Sequence, residues 1–199
     1  GYELNVPKLY PSIYDHLKKY KKELVKRADQ GKNWWNLRAC KYYSKFEEKK
    51  IIWGLTADKW AFAYDDQNYY LPSNGYILTS ERVSLKYILA LLNSKLMEFY
   101  FSFIGIMTAG GAYTLKHETI RELPVKNVKI EEQKPFINLV DKILAITKDD
   151  DYLDNPTKHA KIKELEKQID QMVYKLYGLT DEEIALIEKT YGDADEKTV

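Results

Sequence analysis

The chain has 199 residues and a formal net charge of +1, with 31 Lys/Arg against 30 Asp/Glu. That length can bury a real core and holds one domain with an appendage. A single cysteine, Cys40, excludes an internal disulfide, and with no signal peptide at the start it points to a cytoplasmic protein. The longest apolar stretch, Leu85 to Ile106, is interrupted by Lys86, Asn93, Lys95 and Glu98, so it reads as a buried amphipathic helix and excludes a membrane span there. The start at Gly1, with no initiator methionine, leads us to expect a piece of something longer.

In chain order, Pro11 suits a first helical turn, and Ile13, Leu17, Tyr20 and Leu24 follow at helical spacing, so a helix is expected from about Ser12 to Ala28. Gln30-Gly31-Lys32-Asn33 breaks it. Short strands are then expected at Trp34 to Arg38, Lys50 to Leu55, Trp60 to Tyr64, Tyr69 to Leu71 and Tyr76 to Thr79. Turn signals at Asp65-Asp66-Gln67-Asn68 and Pro72-Ser73-Asn74-Gly75 separate them. Ser84 is placed to cap a helix whose Leu85, Ile88, Leu89, Leu92, Leu96 and Phe99 share one side. After the run from Gly105 to Ala112, Tyr113 to Lys116 and Ile120 to Val125 read as extended, and helix returns at about Glu131 to Thr147.

The last third changes character. A polar linker from Lys148 to Pro156 precedes Ile162, Leu165, Ile169, Met172 and Leu176, a heptad seam about two heptads long that is expected to lie against another helix. Gly178 stands where a helix closes, and Thr180 with Glu183 makes a capping box for a final helix. The fold class expected is α+β, a small mostly antiparallel sheet packed with helices and followed by a short coiled-coil-like helical segment. Two domains are expected, residues 1–147 and 148–199.

Charge is uneven along the chain: residues 1–60 carry 14 Lys/Arg against 7 Asp/Glu, and residues 131–199 carry 10 against 17. All four tryptophans fall in the block between Trp34 and Thr79, interleaved with lysines and tyrosines. Flat aromatic faces beside ammonium groups suit a polyanion that carries phosphates and rings, so nucleic acid is the first partner to consider. An aromatic β-core is the competing explanation, and Trp53 and Trp60 suit a core better than a stacking platform, since duplex DNA exposes no base faces unless a base is flipped.

Enzymatic constellations are absent from the sequence. Gly105 and Gly110-Gly111 lack the lysine and hydroxyl residue of a phosphate loop, and His16, His117 and His159 have no second ligand at metal spacing. No serine sits in a nucleophile elbow, and Cys40 has no obvious histidine partner. The chain reads as a binder.

A specific order of motifs then stands out. It opens W-x-L-R-x-C-x-Y-Y-x-x-F from Trp35 to Phe46, continues K-K-I-I-W from Lys49 to Trp53, and F-A-Y-D-D-x-x-Y-Y-L from Phe62 to Leu71. A helix beginning S-L-K-Y-I-L-A-L-L-N-S-K-L at Ser84 follows, then G-G-A-Y-T-L at Gly110 and E-L-P-V at Glu122. In this order and spacing, roughly from Leu9 to Glu188, the chain resembles the TaqI-like C-terminal specificity domain. That is the target recognition domain of type IIG restriction-modification enzymes, similar to the specificity subunits of type I systems. The resemblance implies a module that reads a short double-stranded DNA sequence and presents it to a methyltransferase and nuclease. The adenine methyltransferase motif Asn-Pro-Pro-aromatic is missing, Asn155-Pro156-Thr157 being a different tripeptide, so catalysis is expected elsewhere. S-adenosylmethionine and magnesium would belong to the parent enzyme, with no cofactor in this chain.

On that reading Arg38, Lys45, Lys49 and Lys50 anchor phosphates, although Lys49 and Lys50, being adjacent in a strand, face opposite sides. Base readers are expected among Thr56, Asp58, Lys59, Asp66, Gln67 and Asn68, polar tips beside aromatic strands. Gly110 and Gly111 allow close backbone approach to the sugar-phosphate chain, with Tyr113 and Lys116 as contacts. Asp65-Asp66 as a plain turn, and Gly110-Gly111 as a plain hairpin, remain open. The alternative function is a protein-interaction module that docks a partner through the heptad helix.

Overall fold

A computed structural model describes residues 4–36, 42–108 and 110–191. The chain divides into two units, Gly1–Glu47 and Glu48–Val199. The first unit holds α1 (Val6–Leu9), α2 (Pro11–Lys18), α3 (Lys21–Leu24) and α4 (Tyr43–Phe46). The single helix expected over this region is therefore broken at Lys19-Tyr20. No residue of α2 or α3 is buried. Without a packed apolar face, helical propensity alone does not carry the chain through, and the break is tightened by i→i+3 bonds such as that from the Tyr20 N–H to the Leu17 carbonyl at 3.0 Å. Tyr14, Trp34 and Trp35 form a ring cluster with centroids 5.2–5.7 Å apart. Arg27 donates from its guanidinium to the Trp34 carbonyl at 3.2 Å and the Asn36 carbonyl at 2.6 Å. Those bonds occupy carbonyls that a strand ladder would need. Trp34 to Asn36 form no strand, and the rest of that expected element, through Arg38, lies outside the described residues.

The second unit is α+β. Its strands are β1 (Lys50–Gly54), β2 (Thr56–Ala57), β3 (Ala63–Asp65), β4 (Gly75–Leu78), β5 (Ile106–Met107) and β6 (Tyr113–Thr114). They form two three-stranded antiparallel sheets, ordered β3-β1-β4 and β2-β6-β5, where the sequence led us to expect one. Leu55 turns the chain from the first sheet into the second: its N–H donates to the Asn74 carbonyl at 2.8 Å and its carbonyl accepts from the Leu115 N–H at 2.7 Å.

Among the described residues this unit also holds six helices: α5 (Leu85–Leu92), α6 (Lys95–Ile104), α7 (His117–Ile120), α8 (Ile130–Thr147), α9 (Pro156–Tyr177) and α10 (Asp181–Tyr191). Tyr87 to Leu92 of α5 are all buried, which makes it the central helix, packed against β1, β3, α6 and α8. The long helix expected across this region is cut at Asn93-Ser94. The Asn93 amide exchanges two 2.9 Å bonds with the Phe62 backbone, and the Ser94 hydroxyl donates to the Leu91 carbonyl at 2.7 Å while accepting the Met97 N–H. Both side chains compete with the helical ladder and win. Ser84 occupies the cap position of α5, but its side chain makes no cap bond; its own N–H donates to the Gln133 amide oxygen at 3.1 Å.

Two expected strands are replaced. Ile120 to Val125 begins with the last residue of α7, and the i, i+3 pair Ile120 and Leu123 is buried, a helical spacing that alternation had masked. Tyr69 to Leu71 forms no strand because the Asp65 carboxylate accepts the Gln67 N–H at 2.7 Å and the Tyr69 N–H at 3.0 Å, wrapping the chain around it, with Asn68 at φ 62°. At the C-terminal end the expectations hold. Ile162, Leu165 and Ile169 of α9 are buried against α8 and α6, and Gly178 closes the helix in the left-handed region at φ 73°. The Thr180 N–H donates to Glu183 at 2.8 Å while Thr180 Oγ1 accepts the Glu183 N–H at 3.3 Å, a complete capping box. The seam is rotated toward Val173, which is fully buried, while Met172 and Leu176 are half-buried.

Candidate nucleic-acid interface

The two tryptophans of the second unit are structural. Trp53 donates from Nε1 to the Leu115 carbonyl at 2.9 Å, tying the first sheet to the second, and Trp60 donates to the Leu92 carbonyl at 2.6 Å, tying the sheet region to α5. Around them Phe62, Tyr76, Phe101 and Tyr113 stand with ring centroids 5.0–6.1 Å apart. This is an aromatic core that braces the β-sheets. It leaves polar loops at the rim.

Two of the expected DNA contacts, the phosphate anchor Lys50 and Tyr113, are withdrawn from the surface. Lys50 is 0% exposed, and its ammonium is bonded to the Asp65 carboxylate at 2.5 Å and the Glu48 carbonyl at 3.4 Å. Burial pushes the Asp65 carboxyl up, but the Lys50 ammonium and the Gln67 and Tyr69 N–H groups outweigh it and hold the carboxyl below its ordinary range. An ammonium committed in this way cannot anchor a phosphate at the surface. Tyr113 is 9% exposed, its ring lies in the aromatic core, and its hydroxyl donates to the Glu98 carboxylate. Burial, reinforced by Glu98, raises its hydroxyl well above the ordinary tyrosine range. Its place is in packing, which corrects the expectation of a contact.

The remaining candidates of this unit fall into two groups. The β2–β6 ladder pairs Thr56 with Thr114 and Ala57 with Tyr113, so its register carries Asp58 and Lys59 toward the tip of the β5–β6 hairpin, where Gly110 and Gly111 lie. Segments some fifty residues apart in sequence thus meet on one small sheet. Thr56, Asp58, Lys59, Gly110 and Gly111 are all exposed. Gly111 has φ 84°, a conformation that favours glycine. The tip is closed by the Thr108 N–H to the Ala112 carbonyl at 2.8 Å, the Ala112 N–H to Thr108 Oγ1 at 3.1 Å and the Gly111 N–H to the Thr108 carbonyl at 2.9 Å. Lys116, exposed, precedes α7 at the far end of the same ladder.

The other group gathers at the Lys50 end of β1, opposite the end that leads into β2. Exposed Lys49 stands just before the strand. The register pairing Lys50 with Asp65 brings the Asp66–Asn68 turn beside it. There the Asp66 carboxylate accepts from Gln67 Nε2 at 2.8 Å and from Lys148 Nζ at 3.3 Å, bonds that hold it below the ordinary carboxylate range. Gln67 and Asn68 remain exposed. Lys45 lies on α4 in the first unit, and Arg38 lies outside the described residues.

Most of the basic excess of the N-terminal region belongs to the first unit, where residues 1–47 hold 11 Lys/Arg against 5 Asp/Glu. Lys19, Lys21, Lys22 and Lys26 are exposed there, Lys18 is bridged to Asp15 at 2.9 Å, and Lys21 stands 5.5 Å from the Trp34 ring centroid. His16, His117 and His159 lie on α2, α7 and α9, and among the described residues no group of three His, Cys, Asp or Glu could hold a metal. Nor, among the described residues, is any helix long and apolar enough to cross a membrane.

Sequence reasoning missed one feature of this rim. Ile106, treated as the end of a buried apolar stretch, and Met107, placed in the run that follows, are 57% and 47% exposed, and Phe103 is 72% exposed. Composition carries no signal for this, since apolar residues default to the interior.

Comparison with curated proteins finds no match. Comparison with known families matches residues 2–125, from the first unit through β6 and α7, to the TaqI-like C-terminal specificity domain. The match spans both polar groups described above and stops before α8. Domains of this kind are DNA-recognition modules of restriction-modification systems. The chain belongs to the TaqI-like C-terminal specificity domain family.

Proposed function

We propose that this chain reads a short sequence in double-stranded DNA and presents it to a methyltransferase and nuclease located on another part of the same enzyme or on a partner subunit. The observation that carries the reading is the family match over residues 2–125, within which the β2–β6–β5 sheet gathers exposed Thr56, Asp58 and Lys59 beside a glycine-tipped hairpin. Phosphate contacts from Lys49, Lys59 and Lys116, and from Arg38 and Lys45 of the first unit, would set register without reading sequence. Base edges would be read by Thr56, Asp58, Gln67 and Asn68: an aspartate accepts from cytosine N4, and an amide pairs with adenine. Modification of adenine at N6, with S-adenosylmethionine and magnesium, would belong to the catalytic part and not to this chain. A type IIG parent acting in the cytoplasm fits the same reading.

The alternative of docking a partner through the heptad helix has less support, because Ile162, Leu165 and Ile169 already pack within their own unit. Titration of mixed-sequence duplexes across a salt series tests the proposal. Affinity should fall with a log–log slope of about −0.9 per phosphate contacted, a slope of several in all. Binding that ignores salt, or none at all, would refute it.

A further inference from the structure

We propose that the exposed β5 edge of the β2–β6–β5 sheet lies in the major groove and that Ile106 and Met107 contact thymine 5-methyl groups there, so that the target contains thymine at the step they reach. The inference rests on the DNA-recognition reading above and adds a base preference and the residues that supply it.

Three observations carry it. First, β5 is an edge strand, hydrogen-bonded only to β6. Adjacent strand residues point to opposite faces, yet Ile106 and Met107 are 57% and 47% exposed, so neither face of this edge is covered. Large apolar side chains left bare on both sides of a strand mark a surface that something else covers. Second, the hairpin that carries β5 is held in shape. Its tip carries Gly110 and Gly111 and is closed by the Thr108 bonds to Ala112 and Gly111. At its base, a Cβ on Gly105 would come within 2.1 Å of the Phe101 ring, so the chain leaves α6 pressed against a fully buried aromatic. An edge strand can be laid in the roughly 12 Å major groove, the groove in which thymine alone shows a methyl group. Third, the polar neighbours suit DNA better than a protein surface. Asp58 and Lys59 run toward the same tip, and the hairpin lies inside the segment matched to the specificity-domain family, whereas α8, α9 and α10 lie outside it.

The test uses the duplex that the full chain recovers from a randomised pool, prepared in parallel with thymine and with uracil, which lacks only the 5-methyl group. The chain should bind the uracil duplex about three- to fivefold more weakly per methyl contacted, as expected for loss of a buried methyl. The I106S/M107S variant should bind the thymine duplex more weakly and show no preference between the two, with an unchanged salt dependence. Should the double variant unfold, the single variant M107S should lose the share of the preference that Met107 supplies, its thymine-to-uracil affinity ratio falling about three- to fivefold below that of the unaltered chain. Equal affinity of the unaltered chain for both duplexes overturns the inference and leaves DNA recognition standing, as does a variant that keeps the preference. A variant that binds DNA normally but no longer associates with the methyltransferase part also overturns it, making the edge a protein dock. Failure to recover any duplex overturns both readings.

Discussion

Asp170 gives the sharpest prediction for stability. It lies on α9, is 5% exposed, and accepts the Lys95 N–H at the start of α6 at 3.0 Å. Beside it Lys95 Nζ bridges to Glu188 of α10 at 2.8 Å, and the Tyr174 hydroxyl donates to the same carboxylate at 2.8 Å. Burial is the largest influence on Asp170. Opposed by the Lys95 N–H and ammonium and helped by Glu188 and Glu166, it pushes the carboxyl from 3.8 up to about 7. The folded protein therefore keeps this proton where the unfolded chain has lost it. The contribution to stability is complete below pH about 4 and is lost as pH rises through about 7. A shift of roughly three pH units corresponds to at most about 4 kcal/mol. For a chain of this size that is a Tm difference of up to about 10 °C. Asp170→Asn keeps the acceptor for Lys95 and cannot ionise. Melting curves at pH 5 and pH 8 should show a clear loss for the unaltered chain and a much smaller one for the variant, which becomes the more stable of the two at pH 8. Equal pH dependence in both proteins would refute the reasoning.

Other outcomes follow from the same geometry. Lys50→Ala strands a buried Asp65 carboxylate and should cost about 3–5 kcal/mol in urea unfolding, whereas the double change to Lys50→Met and Asp65→Leu should recover only part of it, because it removes the unpaired charge but frees the Gln67 and Tyr69 N–H groups. The depressed Asp65 carboxyl contributes stability at neutral pH that is lost as pH falls, so acid unfolding of the Lys50→Met/Asp65→Leu protein should begin at lower pH. Trp60→Ala should destabilise by about 3–5 kcal/mol, since it empties a core position and frees the Leu92 carbonyl. Lys59→Ala and Lys116→Ala should each reduce the salt slope of DNA binding by about 0.9 without altering the preferred sequence, read by the same titration series.

The fold class and the C-terminal helices were legible because their signals are local: Gly178, the Thr180–Glu183 box and the Ile162–Leu165–Ile169 spacing each specify an end or a face by themselves. The breaks at Lys19-Tyr20 and Asn93-Ser94 were not, because they depend on what the side chains find in three dimensions: no burial of either helix in the first case, the Phe62 backbone in the second. The division into two sheets likewise depends on Leu55 bonding to both Asn74 and Leu115, partners far away in sequence. Of the candidate site, Asp58, Lys59, Gly110 and Gly111 were legible as loops, whereas Thr56, read as a polar tip, belongs to β2, and the meeting of the two segments required the β2–β6 register. Lys50 was misread because a lysine in an aromatic-basic block looks like surface until its partner Asp65 is known, and Tyr113 because it follows a glycine pair read as a loop and its partner Glu98 is not adjacent in sequence.

Sequence selection from a randomised duplex pool tests the central claim most directly. The chain should enrich one short sequence that persists as salt is raised, and simultaneous substitution of Thr56 and Asp58 by alanine should blur or change that sequence while leaving the fold intact. A pool that emerges as random as it entered, from a chain that binds DNA, would contradict sequence recognition by this domain.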